Sequence, residues 1–186
     1  MGLIIFPGFL GLISDFAFLP RTDRNVIFGY SMGGRIVLSL LEKRPFDKAV
    51  IVSAGLNAPD PARRARDAEW ARRFETEEWS SLMRAWNAQE IFGGHVLERR
   101  EEDYDRGDLA MELRDLSPAV LPPPKLESIE TPVLWVAGER DTKYVDIARR
   151  AVARLPHAEL WICPNAAHRV PWEQPDALVA RMLDFI

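Results

Sequence analysis

The sequence predicts an α/β fold with a mostly parallel sheet of about five strands, helices on both faces of the sheet and a helical insertion. Short apolar runs alternate with stretches of helical periodicity, which is typical of strands and helices built around a parallel sheet. The runs are rich in Ile, Val and Trp without regular polar alternation, as expected for strands buried on both faces. Residues 56–117 interrupt this rhythm, because they contain no strand-like run.

Five apolar runs are the predicted strands, and three helices follow from the periodic stretches between and after them. The strands are LIIF (3–6), NVIFGY (25–30), KAVIVSA (48–54), PVLWVAG (132–138) and AELWIC (158–163). The helices are residues 32–43, residues 143–154 and residues 174–186. These elements place residues 1–55 and 118–186 in one core.

The interrupting segment, residues 56–117, is predicted to be a helical lid inserted into this core. Its helical patterns are PARRARDAEWARRFE and EEWSSLMRAWNAQEIF, which are rich in Arg, Glu and Trp. A proline-rich stretch over residues 117–132 then leads back to the core.

Length, charge and cysteine content restrict the function classes. The 186 residues suit one domain with a small insertion. The net charge of −4 argues against general attraction to nucleic acids or membranes, so neither is expected as a partner. A single cysteine, Cys163, excludes an intramolecular disulfide and a multi-cysteine metal site. The N-terminal segment also lacks the basic region and cleavage site of a signal peptide, so we expect a cytoplasmic location.

The stretch FGYSMGGR, residues 28–35, carries the strongest chemical signal. Gly29-x-Ser31-x-Gly33 matches the nucleophile-elbow pattern, and it lies between an apolar run and a helical pattern. In such a turn the serine backbone is strained and its neighbours must be small, while the hydroxyl is exposed at the end of a strand. The alternative interpretation is a tight glycine turn with a serine that has no chemical role.

A nucleophilic serine needs a histidine that is oriented by an acid. Asp141 follows one predicted strand and His168 follows the last one, in the chain order serine, acid, histidine. We therefore predict a triad of Ser31, Asp141 and His168. Asp146 is a competing acid within a helical pattern, and Glu139 is another that comes earlier in the loop. The remaining histidines are His95, within the predicted lid, and His157, in a turn.

Several segments together resemble a known group of proteins. GYSMGGRIVLSL, AGERDTKY and AAHRVPWEQPDAL are similar to segments of the α/β-hydrolase superfamily, and more narrowly of the 2-succinyl-6-hydroxy-2,4-cyclohexadiene-1-carboxylate synthases of the menaquinone pathway. The lid sequence is similar to that family's lid, and GFLG (8–11) resembles its oxyanion loop. The resemblance runs from Asn25 to the end of the chain and implies a reduced α/β-hydrolase fold.

The resemblance also implies an activity and a set of site residues. Members of this family remove pyruvate from a succinyl-bearing cyclohexene by proton abstraction and elimination, without a metal or other cofactor. The substrate would thus be a small anionic molecule, with Ser31 as base or relay. By motif match, the oxyanion hole would be the backbone N–H groups of Phe9 and Met32. The substrate-binding residues would be Tyr30, Arg35, Arg63, Trp86 and Phe92.

The residues themselves favour part of this assignment. Arg63 shares one helical stripe with Asp67, Trp70 and Phe74, and arginine binds carboxylates through a planar fork. Arg35 lies in the first turn of a predicted helix, where the dipole disfavours a cation, so we expect it to bind an anion. For the neighbouring arginines of the lid, a solvated face with local ion pairs is the simpler interpretation. Trp86 is open to either lid packing or a pocket role.

Two departures from the family pattern leave other functions open. Pro7 stands where the family has histidine, and only 24 positions separate Pro7 from Ser31, too few for the strand and two helices found there in the family. The predicted outcome is five contiguous strands with LIIF at an exposed edge, which a second copy of the chain could cover. The rival functions are a carboxylesterase-like or carbon–carbon-bond serine hydrolase, and an inactive shortened domain.

Overall fold

A computed structural model describes residues 2–186 and divides into two compact units. The first comprises the described residues up to Leu56 together with Pro124–Ile186, and the second comprises Asn57–Pro123. Over residues 2–186 the α-helices are α1 (Met32–Leu41), α2 (Pro61–Thr76), α3 (Trp79–Asn87), α4 (Arg106–Asp115), α5 (Thr142–Val152), α6 (Val170–Glu173) and α7 (Pro175–Phe185). No helix in this range is both long and apolar enough to cross a lipid bilayer.

The first unit is built on a sheet of five parallel strands. They are β1 (Leu3–Phe6), β2 (Val26–Tyr30), β3 (Lys48–Val52), β4 (Val133–Gly138) and β5 (Ala158–Cys163). Their order in the sheet is their order in the chain, and every neighbouring pair is parallel. The predicted fold class is therefore confirmed, and the strand ends differ from the predicted ones by at most two residues.

Both faces of the sheet are buried, which explains why the strands read as continuous apolar runs. On one face Ile27, Ile51 and Trp135 join a core cluster with residues of α1 and α5. On the other face Phe28 and Val50 join a second cluster with residues of α6 and α7. Because side chains alternate across a strand, each strand contributes to both clusters.

The connection from β1 to β2 is unusually short, and it contains only a 3-10 helix over Ile13–Phe16. Asp15 accepts a hydrogen bond from the backbone N–H of Leu12 at 2.9 Å, which closes the first turn of this helix. Phe16 is buried, with its ring centroid 5.4 Å from that of Phe28 and 5.5 Å from that of Trp172. One aromatic side chain thus anchors the short crossover to the sheet.

Strand β1 lies at an edge of the sheet, and within the described residues it pairs with β2 alone. Ile4 on this strand is 38% exposed. Unpaired apolar edges are templates for association with another chain. Association of two copies through this edge stays a prediction.

The second unit is helical, and helices α2 and α4 are packed together in it. Acidic residues cap the three helices: Asp60, Glu78 and Asp105 each accept a hydrogen bond from a backbone N–H of the first turn. Arg114 of α4 forms an ion pair with Glu75 of α2 at 2.7 Å. Aromatic rings pack against one another in this unit, among them Trp70, Phe74, Trp79, Trp86 and Phe92.

Candidate active site

Ser31 lies in the sharp turn between β2 and α1, and its backbone is strained. Its φ of 51° and ψ of −111° are unusual for a residue with a side chain. The turn has no room for larger neighbours, because a Cβ on Gly33 would lie 2.0 Å from the carbonyl oxygen of Phe6. A Cβ on Gly29 would lie 2.7 Å from the carbonyl oxygen of Gly33. Close backbone approach thus explains the glycines of the motif.

The structure brings Ser31, His168 and Asp141 into one hydrogen-bonded row. The Oγ of Ser31 lies 3.0 Å from Nε2 of His168, and Nδ1 of His168 lies 2.6 Å from Oδ2 of Asp141. His168 is 2% exposed and Asp141 is 4% exposed. An ionised Asp141 can only accept, so Nδ1 carries the proton and Nε2 is left to accept from the Ser31 hydroxyl. This is the arrangement that lets a histidine remove a serine proton.

The three side chains meet because each follows a strand of the same parallel sheet. Ser31 follows β2, Asp141 lies in the turn after β4, and His168 lies in the turn after β5. Asp141 also caps the N-terminus of α5, where its side chain accepts a hydrogen bond from the backbone N–H of Tyr144 at 3.4 Å. Carboxyl ends of parallel strands share one edge of the sheet, which is the usual place for a site in this class of fold.

The rival acids and histidines lie elsewhere. Asp146 is largely exposed and lies 3.6 Å from Arg149. The carboxylate of Glu139 accepts a hydrogen bond from the backbone N–H of Asn165 at 3.0 Å. His157 is exposed and lies 3.6 Å from Glu130, and His95 belongs to the second unit. The geometry therefore favours Asp141 and His168 over these alternatives.

The loop after β1 lies directly against the serine turn. A Cβ built on Gly8 would be 3.1 Å from Cβ of Ser31, and the backbone N–H of Gly11 donates to the carbonyl oxygen of Gly8 at 2.8 Å. Phe9 is part of this turn, and Met32 is the first residue of α1. Their N–H groups remain the predicted oxyanion donors.

Two of the predicted substrate residues belong to the first unit. Tyr30 ends β2, and its ring centroid is 5.8 Å from that of His168. Burial raises the pKa of Tyr30 far above its ordinary value, so its hydroxyl stays protonated. Arg35 is buried in the first turn of α1. The anion-binding role of Arg35 stays a prediction.

The three substrate residues predicted in the lid have structural contacts within the second unit. Nε of Arg63 donates to both carboxylate oxygens of Asp67, at 2.7 and 2.9 Å. The ring of Trp86 lies 4.9 Å from that of Trp70 and 6.2 Å from that of Phe92. Packing therefore accounts for much of the position of Trp86, and the pocket roles of these three residues stay predictions.

Sequence reasoning missed three residues next to His168. The rings of Tyr144 and His168 meet edge-on, with their centroids 4.4 Å apart. The ring centroid of Trp172 lies 5.0 Å from that of Tyr30. Glu173 accepts hydrogen bonds from the turn that carries His168. Only their closeness in sequence to Asp141 and His168 could have indicated them.

Within residues 2–186, no three His, Cys, Asp or Glu side chains are grouped so that they could hold a metal ion. Burial raises the pKa of the Cys163 thiol to about 11, so this thiol stays protonated at neutral pH. The Ser31 hydroxyl, in contrast, lies 3.0 Å from Nε2 of His168, which can take its proton.

Comparison with known proteins agrees with this architecture. The profile of the alpha/beta hydrolase family matches residues 7–181. The 2-succinyl-6-hydroxy-2,4-cyclohexadiene-1-carboxylate synthase of Escherichia coli O1:K1 is 28% identical over 174 residues, covering 86% of this chain and 67% of that protein. The Serratia proteamaculans synthase is 28% identical over 179 residues, covering 88% and 68%. The chain thus spans about two thirds of the length of these relatives.

Solved structures show the same fold. The structure of MenH from S. aureus has a TM-score of 0.86 at 20% identity, covering 98% of this chain and 92% of that one. The putative non-heme bromoperoxidase BpoC from Mycobacterium tuberculosis has a TM-score of 0.70 at 18% identity, covering 98% and 90%. With a family profile matched over nearly the whole chain and the parallel sheet in place, this protein belongs to the alpha/beta hydrolase family.

Proposed function

We propose that this protein eliminates pyruvate from a succinyl-bearing cyclohexene carboxylate, as a cofactor-independent lyase of menaquinone synthesis. The observation that supports this most is the hydrogen-bonded row of Ser31, His168 and Asp141 in a chain whose curated relatives carry the synthase name. The elimination needs a base that removes a proton from carbon, and the row supplies one.

In the proposed reaction Ser31 and His168 move one proton. His168 Nε2 takes the hydroxyl proton of Ser31 while Ser31 Oγ takes the proton from the substrate carbon. The electron pair left on carbon forms the new double bond as the carbon–oxygen bond breaks, and the three-carbon group departs as the enolate of pyruvate. The His168 imidazolium then gives its proton to this enolate, which restores the neutral histidine. Asp141 stabilises the imidazolium that forms, because its carboxylate faces Nδ1 at 2.6 Å.

The negative charge that develops on the substrate needs donors that are already in place. The backbone N–H of Met32 belongs to the first turn of α1, where N–H groups have no partner within the helix. Phe9 is its proposed companion, because the neighbouring Gly8 packs against the serine turn. Arg35 and Arg63 would bind the carboxylates of the substrate, with Tyr30, Trp86 and Phe92 along its apolar parts.

Pyruvate release from the succinyl-cyclohexene substrate, coupled to lactate dehydrogenase, tests this proposal. The experiment compares the unmodified protein with Ser31→Ala, and with Ser128→Ala as a matched control on an exposed serine. We expect the unmodified protein and Ser128→Ala to release pyruvate, and Ser31→Ala to release none. A folded, monodisperse protein that releases no pyruvate would overturn the lyase assignment for this chain.

A serine hydrolase is the second candidate, because the hydrogen bond from Ser31 to His168 would serve an acyl-enzyme equally well. Turnover of p-nitrophenyl esters and covalent labelling by a fluorophosphonate, without pyruvate release, would support this function. A folded protein inert in all three assays would instead be an inactive shortened domain.

A further inference from the structure

The turn that carries His168 is held by one carboxylate, that of Glu173. Glu173 Oε2 accepts a hydrogen bond from the backbone N–H of Ala167 at 2.9 Å, and Oε1 accepts one from the backbone N–H of Arg169 at 3.0 Å. The two donors flank His168 directly. The two oxygens of one side chain thus fix the peptide groups on both sides of the histidine.

The carboxylate of Glu173 also contacts the loop that carries Asp141. Arg140 Nη2 donates to Glu173 Oε2 at 2.7 Å, and Arg140 immediately precedes Asp141. The backbone N–H of Arg140 donates to the carbonyl oxygen of Ala166 at 2.8 Å. The loops of Asp141 and His168 are therefore joined through both a backbone bond and Glu173.

Helix α6 gives this carboxylate a rigid support. The ring of Trp172, one residue before Glu173, lies 5.0 Å from Tyr30, which is next to Ser31. The side chain of Glu173 is only 5% exposed. A buried carboxylate is retained when its charge is balanced by good hydrogen bonds, and Glu173 has three donors.

We propose that Glu173 is a positioning residue that sets the distance from His168 to Asp141 and to Ser31. A carboxylate can accept from both flanking N–H groups at once, whereas an amide offers one acceptor and turns a second donor toward an N–H group. Loss of either bond would let the turn shift, and proton transfer in the row depends on its geometry. The expected loss of catalytic rate rests on the proposed function. The expected shift of the turn that carries His168 does not.

The test uses the whole 186-residue chain with Glu173→Gln, Glu173→Ala and Arg140→Met. Glu127→Gln is the matched control, because Glu127 is an exposed carboxylate that also binds an arginine, Arg154 at 2.7 Å. Two readouts are measured on samples that keep the circular dichroism spectrum of the parent. One is the downfield proton NMR signal of the His168 Nδ1–H, and the other is the rate of pyruvate release or of fluorophosphonate labelling.

We expect Glu173→Gln and Glu173→Ala to weaken or remove the His168 signal and to lower the rate about 10- to 100-fold. Arg140→Met should have a smaller effect, since it leaves both backbone bonds to Glu173 in place. Glu127→Gln should change neither readout. If Glu173→Ala is unfolded, the isosteric Glu173→Gln variant alone decides whether Glu173 positions His168.

An unchanged His168 signal and a rate within about twofold of the parent in a folded Glu173→Gln protein would overturn the proposal. So would an Arg140→Met effect as large as that of Glu173→Gln. If the parent protein neither releases pyruvate nor reacts with the probe, the proposed function fails, and the NMR signal alone still decides the role of Glu173.

Discussion

Asp141 Oδ2 lies 2.6 Å from Nδ1 of His168, although 27 positions separate the two residues in the chain. The pair is buried, so water does not compete for this hydrogen bond. Its geometry sets which nitrogen of the ring faces Ser31.

Asp141→Asn should leave the fold intact and lower kcat by about 10⁴-fold, because the amide no longer holds the required tautomer of His168. The measurement is the rate of pyruvate release, or of ester hydrolysis if that is the activity. Asp146→Asn is the control, since Asp146 is an exposed acid in α5, the helix that Asp141 caps. Equal losses in the two variants would contradict the assignment of Asp141.

Arg63→Lys separates a substrate role from a structural one. A carboxylate-binding Arg63 predicts a KM about tenfold higher with kcat little changed, because lysine cannot offer the two-pronged fork. A role limited to the bond with Asp67 predicts a lower melting temperature with an unchanged KM. Arg64→Lys, on an exposed position of the same helix, controls for the loss of arginine chemistry.

Gly33→Ala should lower the free energy of unfolding by about 2 kcal/mol and abolish activity, because the new methyl group would meet two backbone carbonyl oxygens. Urea denaturation measures the first effect. Gly55→Ala is the matched control, since its nearest neighbour, Cε1 of Tyr144, is 3.7 Å away. For Gly55→Ala we expect the free energy of unfolding to change by less than about 1 kcal/mol. A Gly33→Ala protein that keeps its stability and activity would contradict the tight packing of the serine turn.

Glu112→Gln should stabilise the protein at neutral pH. Burial raises the pKa of Glu112, and the carboxylate of Asp108 one turn away adds to this. A carboxyl group whose pKa is higher in the folded state binds its proton more tightly there, so its contribution to stability falls as pH rises from the unfolded pKa through the folded one.

The gain from Glu112→Gln should therefore be full above the folded pKa and should vanish below the unfolded pKa. Melting temperatures of the variant and the parent between pH 4 and pH 8 check this. Glu98→Gln, on an exposed position of the same unit, should show no such pH-dependent gain. A gain that is constant across the range would exclude burial of the Glu112 charge as its cause.

Much of the architecture was predictable because its signals are local. The apolar run NVIFGY is long enough for one buried strand and is followed at once by a glycine turn and a helical pattern, so β2, the turn and α1 could be placed from the sequence. The run AELWIC matches β5 at both ends. The order of Ser31, Asp141 and His168, each after a strand, predicted their meeting at one edge of the sheet.

Some features could not be predicted from local patterns. The sequence predicted one terminal helix over residues 174–186, but the structure also forms α6. Its Glu173 accepts hydrogen bonds from the backbone N–H groups on both sides of His168. Arg63 lay on an apolar stripe that indicated substrate binding, yet its Nε donates to Asp67, which also accepts from Ser117 fifty positions away. Ser117 is distant in sequence from Asp67, so no pattern in a short window reveals this bond. The bonds of Glu173 and of Arg63 are local, but the sequence does not show which way these side chains turn.

The sequence by itself determined the five strands, the helices α1, α5 and α7 and the serine turn, because periodicity and glycine placement act over a few residues. Only the tertiary structure decided the distances within the row of Ser31, His168 and Asp141, and the bonds from Glu173 that hold it. The physical reason is that hydrogen bonds between loops require positions correct to a fraction of an ångström. Those positions follow from the packing of both faces of the sheet.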